Sequence, residues 1–277
     1  FSGMRGDMIL GALIDAGADL QKLESELGKL KLSGFTLKAE KTSRKGLSGT
    51  RVLVHTDHSH TERHLADIES ILDNSSLPND IKEKAKSIFG DLARVEAKIH
   101  NTNLGDVHFH EIGGLDSIVD IVGSLLAIKI LGIETMYASR IPVGTGFVEC
   151  DHGVLPLPAP ATLELLKGVP VHASSLDKEL VTPTGIAILK HLVQSFATIP
   201  EMKIERIGYG AGSRDLKIPN MLRVWIGEEE VKQEYERDEI VLIETNIDNM
   251  NPEILGYTSE RLLERGALDV FMTPIFM

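Results

Sequence analysis

The sequence predicts an α+β fold. A main domain of mixed helices and short strands is expected over residues 1–227, a linker at 228–238, and part of a small βαβ, ferredoxin-like domain at 239–277. Helical periodicity and strand-like alternation follow one another without an internal repeat and without the regular strand–helix order of a β/α barrel. The run 228–238 is rich in charge and poor in apolar residues, which is typical of linkers.

The first part of the chain predicts helices where apolar residues recur three or four positions apart, and a hairpin where they alternate. Helices are predicted at residues 6–16, 20–30, 65–72 and 81–100, and hairpin strands at 35–40 and 50–55. A further helix follows Asp116 and runs to Gly132. Its residues are apolar nearly all round, which predicts a buried helix.

The second part predicts shorter elements separated by proline and glycine. Strands are expected at 137–143, 203–209 and 222–226, and helices at 161–167 and 182–196. Beyond the linker, residues 240–245, 252–265 and 267–275 are predicted as strand, helix and strand. Together these last three elements would form one βαβ unit.

Composition excludes some classes of partner. The formal net charge of −12 disfavours nucleic acid and anionic membranes, and it is compatible with the attraction of cations. Cys150 is the single cysteine, so an intrachain disulfide is impossible and a cytoplasmic location is expected. No apolar run approaches the roughly 20 residues of a membrane span, and no signal peptide is visible. Because the chain starts at Phe1 and ends in an apolar run, we expect both ends to continue in a longer protein.

The stretch 107–120 carries the densest group of chemically active residues. His108 and His110 are two positions apart, so both rings point to the same side of an extended segment. Asp116 stands where a helix N-cap belongs, and Asp120, four residues later, shares its helix face. This arrangement predicts a divalent metal site with His108, His110 and Asp116 as ligands. The alternative is a strand, a turn and an Asp-capped helix with two partly buried histidines.

Asp120 is a carboxylate on an otherwise apolar helix. Burial of such a group costs several kcal/mol unless it is paired or binds a cation, although a position in the first helical turn reduces the cost. Asp120 is therefore either a residue of the helix start or a site residue.

A second histidine-rich segment, 55–64, has no apolar face on which its rings could be buried. Imidazole suits nickel, zinc and copper, and a loop can fold onto a metal that other residues also hold. We therefore expect His58, His60 and His64 to take part in metal binding. The alternative is a set of solvated histidines in a loop.

Two segments just before predicted helices could bind phosphate through free backbone N–H groups. They contribute Gly6 and Asp7 in the first case and Thr182, Thr184 and Gly185 in the second. Ordinary helix caps have the same pattern.

The glycine-rich segment 208–212 superficially resembles a dinucleotide-binding loop, but no helix is predicted after it, so we reject that interpretation. The chain also has no Walker pattern, no Gly-x-Ser-x-Gly sequence and no Cys-x-x-Cys pair.

Several sequence blocks, in order along nearly the whole chain, together resemble the LarC family of nickel insertion proteins, which act in assembly of the lactate racemase cofactor. The blocks are Phe1-Ser2-Gly3 with Gly6-Asp7-Met8, Arg63-His64-Leu65 with Asp67-Ile68, Val107 to Glu111 with Asp116 to Val122, Gly153 to Pro156 with Pro158 to Thr162, Glu179 to Gly185, Ile207 to Gly212, Glu244 to Asp248, and Gly266 to Val270. The chain departs from many relatives at Met4-Arg5-Gly6-Asp7, where they have Ile-Ser-Gly-Asp, and at Asn249, where they have a second Asp.

The resemblance implies insertion of nickel into pyridinium-3,5-bisthiocarboxylic acid mononucleotide, with two Ni–S bonds and one Ni–C bond formed in a CTP-dependent reaction with Mg²⁺ or Mn²⁺. The Ni–C bond requires loss of the ring C4 proton, and Glu111 or Asp120 could accept it. The resemblance also implies that 239–277 is the start of a truncated CTP-binding domain, in which Asp248 would contact the nucleotide or its metal. The expected partners are this mononucleotide, other cofactor-assembly proteins, the racemase and further copies of the chain.

Two other classes of function remain open from the sequence. A nickel-binding chaperone or storage protein would hold the metal without chemistry. A metal-dependent hydrolase would use the His108–His110 pair.

Overall fold

The structure is a computed structural model that describes residues 3–56, 63–107, 109, 114–150, 153–229 and 240–276. It confirms the predicted α+β class. The chain divides into two compact units, Phe1–Val231 and Lys232–Met277, and each is described by itself.

The helices of the first unit form close to their predicted positions, except that the helix predicted at 182–196 ends at Leu192 and residues 195–196 form a strand. They are α1 (Gly6–Asp15), α2 (Leu20–Gly28), α3 (Leu65–Asp73), α4 (Asn79–His100), α5 (Leu115–Leu131), α6 (Pro160–Leu165) and α7 (Pro183–Leu192), with a short 3₁₀ turn at Leu104–Asp106. The strands are β1 (Phe35–Arg44), β2 (Leu47–Thr56), β3 (Tyr137–Ala138), β4 (Ile141–Val143), β5 (Phe147–Cys150), β6 (Gly153–Pro156), β7 (Val171–Ala173), β8 (Ser195–Phe196), β9 (Met202–Ala211) and β10 (Met221–Glu229).

The main sheet has the strand order β1-β2-β9-β10. Two antiparallel hairpins, β1–β2 and β9–β10, meet through parallel pairing of Thr50 with Gly210. Helix α1 lies against this sheet at Gly208 and Gly210, where any Cβ would collide with the α1 backbone. The glycines of segment 208–212 therefore permit close helix–sheet packing, in agreement with the rejection of a dinucleotide loop.

The predicted buried helix is α5, which packs against α1, α2, α4 and α7. Most of its residues from Leu115 to Ile128 are buried, and they join α1, α2 and α4 in one apolar core. Near its amino-terminal end Asp116 is exposed and Asp120 is half-buried, and in its last turn Lys129 is exposed. The apolar body of α5 thus holds its amino-terminal carboxylates at a defined place.

The segment predicted as one strand at 137–143 forms two short strands. β3 pairs in parallel with β8, whereas β4 pairs in parallel with β7, so the change of partner interrupts the strand after Ala138. The β10 strand continues to Glu229, so Glu228 and Glu229 belong to the sheet and not to the predicted linker.

In the second unit, helix α8 (Pro252–Glu264) forms as predicted, with Asn251 as its N-cap. The flanking segments 240–245 and 267–275 do not form the predicted strands in the described residues. A strand needs a partner for its backbone groups, and Ile240, Val241, Leu242 and Ile243 are 67% to 86% exposed. In the portion of the chain that the structure describes, no helix has the length and apolar character needed to cross a membrane.

Candidate functional site

A cavity of about 600 Å³ opens in the first unit. Its size is in the range of small-molecule sites in proteins. It is bounded by the amino-terminal ends of α1, α5 and α7, by β2, and by the last turn of α4. The polar and charged residues in its wall are Arg5, Asp7, Arg51, Glu96, His100, Asp116, Ser117, Asp120, Glu149, Glu179, Thr182, Thr184, Ser213 and Arg214.

Helices α1 and α7 begin side by side at this cavity. The residues before them run parallel, with Met4 paired to Val181, the Met4 N–H donating to the Leu180 carbonyl at 2.7 Å, and the Thr182 N–H donating to the Met4 carbonyl at 3.2 Å. A Cβ at Gly185 would lie 2.5 Å from the Met4 carbonyl oxygen, so glycine permits this approach. Two helix N-termini therefore present partial positive charge and backbone N–H groups at one edge of the cavity.

The caps of the two helices differ. Thr182 is the N-cap of α7, and its Oγ1 accepts a hydrogen bond from the Gly185 N–H at 3.3 Å. Arg5 is the N-cap of α1 and provides no side-chain cap. The amino terminus of α1 thus relies on a group from elsewhere.

That group is Asp120 of α5. Its carboxylate accepts a hydrogen bond from the Asp7 N–H, and a Cβ at Gly6 would lie 2.6 Å from Asp120 Oδ2. The Asp120 Oδ1 atom is buried and has no hydrogen-bond partner among the described residues. One carboxylate oxygen therefore caps α1 while the other has an unmet hydrogen-bonding capacity at the cavity.

Burial raises the pKa of Asp120 well above its ordinary value, and the nearby charges of Asp7 and Asp116 raise this pKa further. Burial also raises the pKa of Asp7, although the Arg5 guanidinium, the Met8 N–H and the Arg51 guanidinium oppose the change. Carboxyl groups with raised pKa values in a cavity are candidates for proton transfer.

Three arginines face the same cavity. Arg5 Nε lies 3.5 Å from Asp7 Oδ1, and Arg214 donates to the Glu179 carbonyl at 2.9 Å and to its carboxylate at 3.1 Å. The Nε atoms of Arg5 and Arg51 are buried without a hydrogen-bond partner in the described structure. An unsatisfied buried donor costs about 1–3 kcal/mol, so Arg51 Nε is suited to an acceptor supplied by a ligand, whereas Arg5 Nε already faces the Asp7 carboxylate.

His64 is the one predicted metal-binding histidine within the described residues. It precedes α3, and its Nδ1 lies 3.0 Å from the Val107 carbonyl oxygen. Since a carbonyl only accepts, Nδ1 is the donor in this contact. Antiparallel pairing of Arg63 with Phe109 places His64 beside the described residues Val107 and Phe109 of the stretch 107–120.

The other predicted histidine ligands, His58, His60, His108 and His110, and the predicted base Glu111 lie outside the described residues. Within the described ranges, no three His, Cys, Asp or Glu side chains come together in an arrangement that could hold a metal ion. The metal site therefore remains a prediction.

The cavity brings together six of the predicted site residues: Gly6, Asp7, Asp116, Asp120, Thr182 and Thr184. The prediction that Asp116 is the N-cap of α5 is wrong. Gly114 occupies that position with extended backbone angles, and Asp116 lies in the first turn, where its charge still complements the helix dipole. Asp248 belongs to the second unit and is exposed.

Five residues that line the cavity were not predicted as site residues, namely Arg5, Arg51, Arg214, Glu96 and His100. His100 Nε2 lies 3.3 Å from Glu96 Oε2 at the end of α4. The i,i+4 spacing of this last pair was visible in the sequence. The three arginines come from distant segments, and no local pattern connects them.

The fold defines an α+β protein with a cavity of small-molecule size, in which two helix N-termini lie near carboxyl groups. The chain belongs to the nickel insertion protein family, whose model matches residues 1–277. It is 48% identical over 281 residues to the pyridinium-3,5-bisthiocarboxylic acid mononucleotide nickel insertion protein of Desulfitobacterium hafniense, with 100% of this chain and 70% of the relative covered.

Proteins of the same name from Acetivibrio thermocellus and Staphylococcus epidermidis are 48% and 46% identical over 288 and 276 residues. In both comparisons 100% of this chain is covered, with 70% and 69% of the relatives. No solved structure matches the chain.

Proposed function

We propose that this protein inserts nickel into pyridinium-3,5-bisthiocarboxylic acid mononucleotide and that the cavity holds the mononucleotide. The names of its relatives specify this substrate. The observation that carries the proposal is the convergence, in one cavity, of two helix N-termini with the Asp7 and Asp120 carboxyl groups. An anionic ligand and a proton acceptor would thus be held side by side.

The N-termini of α1 and α7 would bind the phosphate of the mononucleotide. Gly6 and Asp7 contribute the first turn of α1, and Thr182, Thr184 and Gly185 form the start of α7. Backbone N–H groups at helix starts need no side-chain charge to bind phosphate. The phosphate end of the substrate would therefore be fixed at this edge.

Nickel is the metal substrate of the proposed reaction. We propose His58, His60, His64, His108, His110 and Asp116 as the residues that deliver or hold it before insertion. Of these residues, His64 lies within the described structure, next to Val107, where its Nδ1 is 3.0 Å from the Val107 carbonyl oxygen. Imidazole is a suitable ligand for nickel before insertion. In the product, the sulfur atoms of the substrate would bind the nickel instead.

Forming the Ni–C bond breaks the bond between ring C4 and its hydrogen, so a base has to accept one proton. We propose Asp120 or Glu111 for this role. The raised pKa of Asp120 makes its ionised form a stronger base than an ordinary aspartate. Its unpartnered Oδ1 is the atom that would receive the proton.

The proposal includes dependence on CTP with Mg²⁺ or Mn²⁺, and we propose Asp248 as a contact of the nucleotide or its metal. Asp248 is exposed just before α8. The described residues of the second unit bring no three candidate metal ligands together.

We also propose a cytoplasmic location, self-association, and contact with other cofactor-assembly proteins and the racemase.

The test is mass spectrometry of the mononucleotide after incubation with the protein, Ni²⁺, CTP and Mg²⁺ or Mn²⁺. The expected product has gained one nickel and lost the displaced protons. Omitting nickel should abolish the product, and omitting CTP should do the same if the nucleotide dependence holds. A protein that binds nickel tightly but leaves the mononucleotide unmetallated would support storage and contradict the proposed reaction.

A further inference from the structure

Arg51 is a cavity arginine that lacks a local partner. It lies on β2 between Thr50 and Val52, which are buried, so its side chain leaves the opposite face of the strand. Its cross-strand neighbour is Glu40 of β1, but Glu40 pairs with Lys38 at 3.0 Å. The acidic side chain closest in register is therefore bound to another cation.

The Arg51 side chain instead reaches the cavity, where its Nε is buried and has no hydrogen-bond partner among the described residues. Arg5 differs, because its Nε lies 3.5 Å from Asp7 Oδ1. Both guanidinium groups act electrostatically on Asp7, which places them in the same part of the cavity. Arg5 is also the residue from which α1 starts, next to the start of α7.

We propose that Arg51 and Arg5 complete a phosphate-monoester subsite with the N-termini of α1 and α7. This proposal rests on the proposed function for the identity of the ligand. A phosphate monoester is a dianion whose three oxygens can accept from two guanidinium groups and from backbone N–H groups together. The planar fork of a guanidinium donates two parallel hydrogen bonds, and in Arg51 the Nε edge of that fork is unoccupied.

The subsite takes the phosphate and not the thiocarboxylate groups. Both sulfur-bearing groups of the substrate have to face nickel in the product, so they belong with the metal-binding side chains. The ribose then separates the phosphate from the pyridinium ring. Arg51 is thus a specificity residue for the mononucleotide over the corresponding nucleoside.

Calorimetric titration of the whole protein with nicotinamide mononucleotide and nicotinamide riboside tests the subsite without nickel, because these pyridinium ligands differ only in the phosphate. Arg51→Met should weaken mononucleotide binding by about ten- to a hundredfold, the usual effect of losing a charge-assisted hydrogen bond. Arg51→Lys keeps the charge but lacks the planar guanidinium. Its affinity for the mononucleotide should lie between those of the unaltered protein and Arg51→Met. Inorganic phosphate should compete with the mononucleotide in the unaltered protein.

Arg206→Met is the charge-matched control, since Arg206 is exposed on β9 and does not line the cavity. It should leave mononucleotide binding unchanged. Three outcomes would overturn the subsite. The first is an equal loss of mononucleotide affinity in Arg51→Met and Arg206→Met, and the second is a loss of nucleoside affinity in Arg51→Met as large as that for the mononucleotide. The third is that the unaltered protein does not bind the mononucleotide. Circular dichroism of each variant excludes unfolding as the cause. Because nickel is absent from the titration, failure of nickel insertion would leave this result intact.

Discussion

At the scale of single residues, we propose that Asp120 has two roles, as the cap of α1 and as a proton acceptor. One carboxylate oxygen lies against Gly6 at the start of α1, and the other is buried without a hydrogen-bond partner in the described structure. A carboxylate with only a structural role could have hydrogen-bond partners for both of its oxygens. The unsatisfied oxygen is the feature that indicates chemistry.

The variant Asp120→Asn separates these tasks, because an amide oxygen can still accept from the Asp7 N–H. If Asp120 is the base, nickel insertion should slow by about a hundredfold or more. Binding of the mononucleotide should change much less. Rates and affinities measured on the same preparation check this prediction, and an unchanged insertion rate would leave Glu111 as the base.

The same variant has a pH signature in stability. Burial raises the folded-state pKa of Asp120 above its ordinary value of 3.8, so the folded chain binds more protons than the unfolded chain at higher pH. The free energy of unfolding of the parent should therefore decrease as the pH rises from about 3.8 through the raised pKa. Asp120→Asn removes this decrease. Thermal unfolding should show a variant that gains stability over the parent towards neutral pH and loses this advantage in acid.

At the scale of elements, the site depends on the approach of α7 to the start of α1. Gly185→Ala would place a Cβ 2.5 Å from the Met4 carbonyl oxygen and 3.1 Å from the Arg5 Cα. Backbone cannot rotate away as a side chain can, so the two helix starts would separate. We expect a destabilisation of about 1–3 kcal/mol, which for a chain of this size lowers Tm by several degrees.

Gly90→Ala in the interior of α4 is the matched control. A Cβ there meets only the Arg94 side chain at 3.9 Å, and alanine is the better helix former. This variant should be as stable as the parent or more stable by up to about 1 kcal/mol. A Gly185→Ala protein with unchanged Tm and unchanged mononucleotide affinity would show that the close approach is not required.

At the scale of the whole molecule, the chain forms two compact units, and we propose that the charged run at 230–238 joins them. The run after Glu229 has few apolar residues that could be buried. Limited trypsin digestion should therefore cut first at Lys232 or Arg237. Lys45, exposed in the β1–β2 turn, is an internal comparison, and earlier cleavage there with protection of the charged run would contradict the proposal.

The sequence by itself determined most helices and the hairpins of this protein, because hydrogen bonds and burial within such elements repeat over a few residues. The apolar pattern of α5, the cap at Thr182 and the alternation of β1 and β2 were therefore visible. It also indicated part of the site, since Gly6, Asp7, Thr182 and Thr184 precede or begin helices.

Only the tertiary structure decided which of these positions share a cavity. Arg5, Arg51, Asp120 and Arg214 lie far apart along the chain, and the parallel pairing of Met4 with Val181 and the packing of α5 bring their segments together. The same holds for segments 240–245 and 267–275, whose apolar residues predicted strands that did not form in the described structure. A strand requires a partner and a site requires convergence, and both depend on contacts that no local spacing encodes.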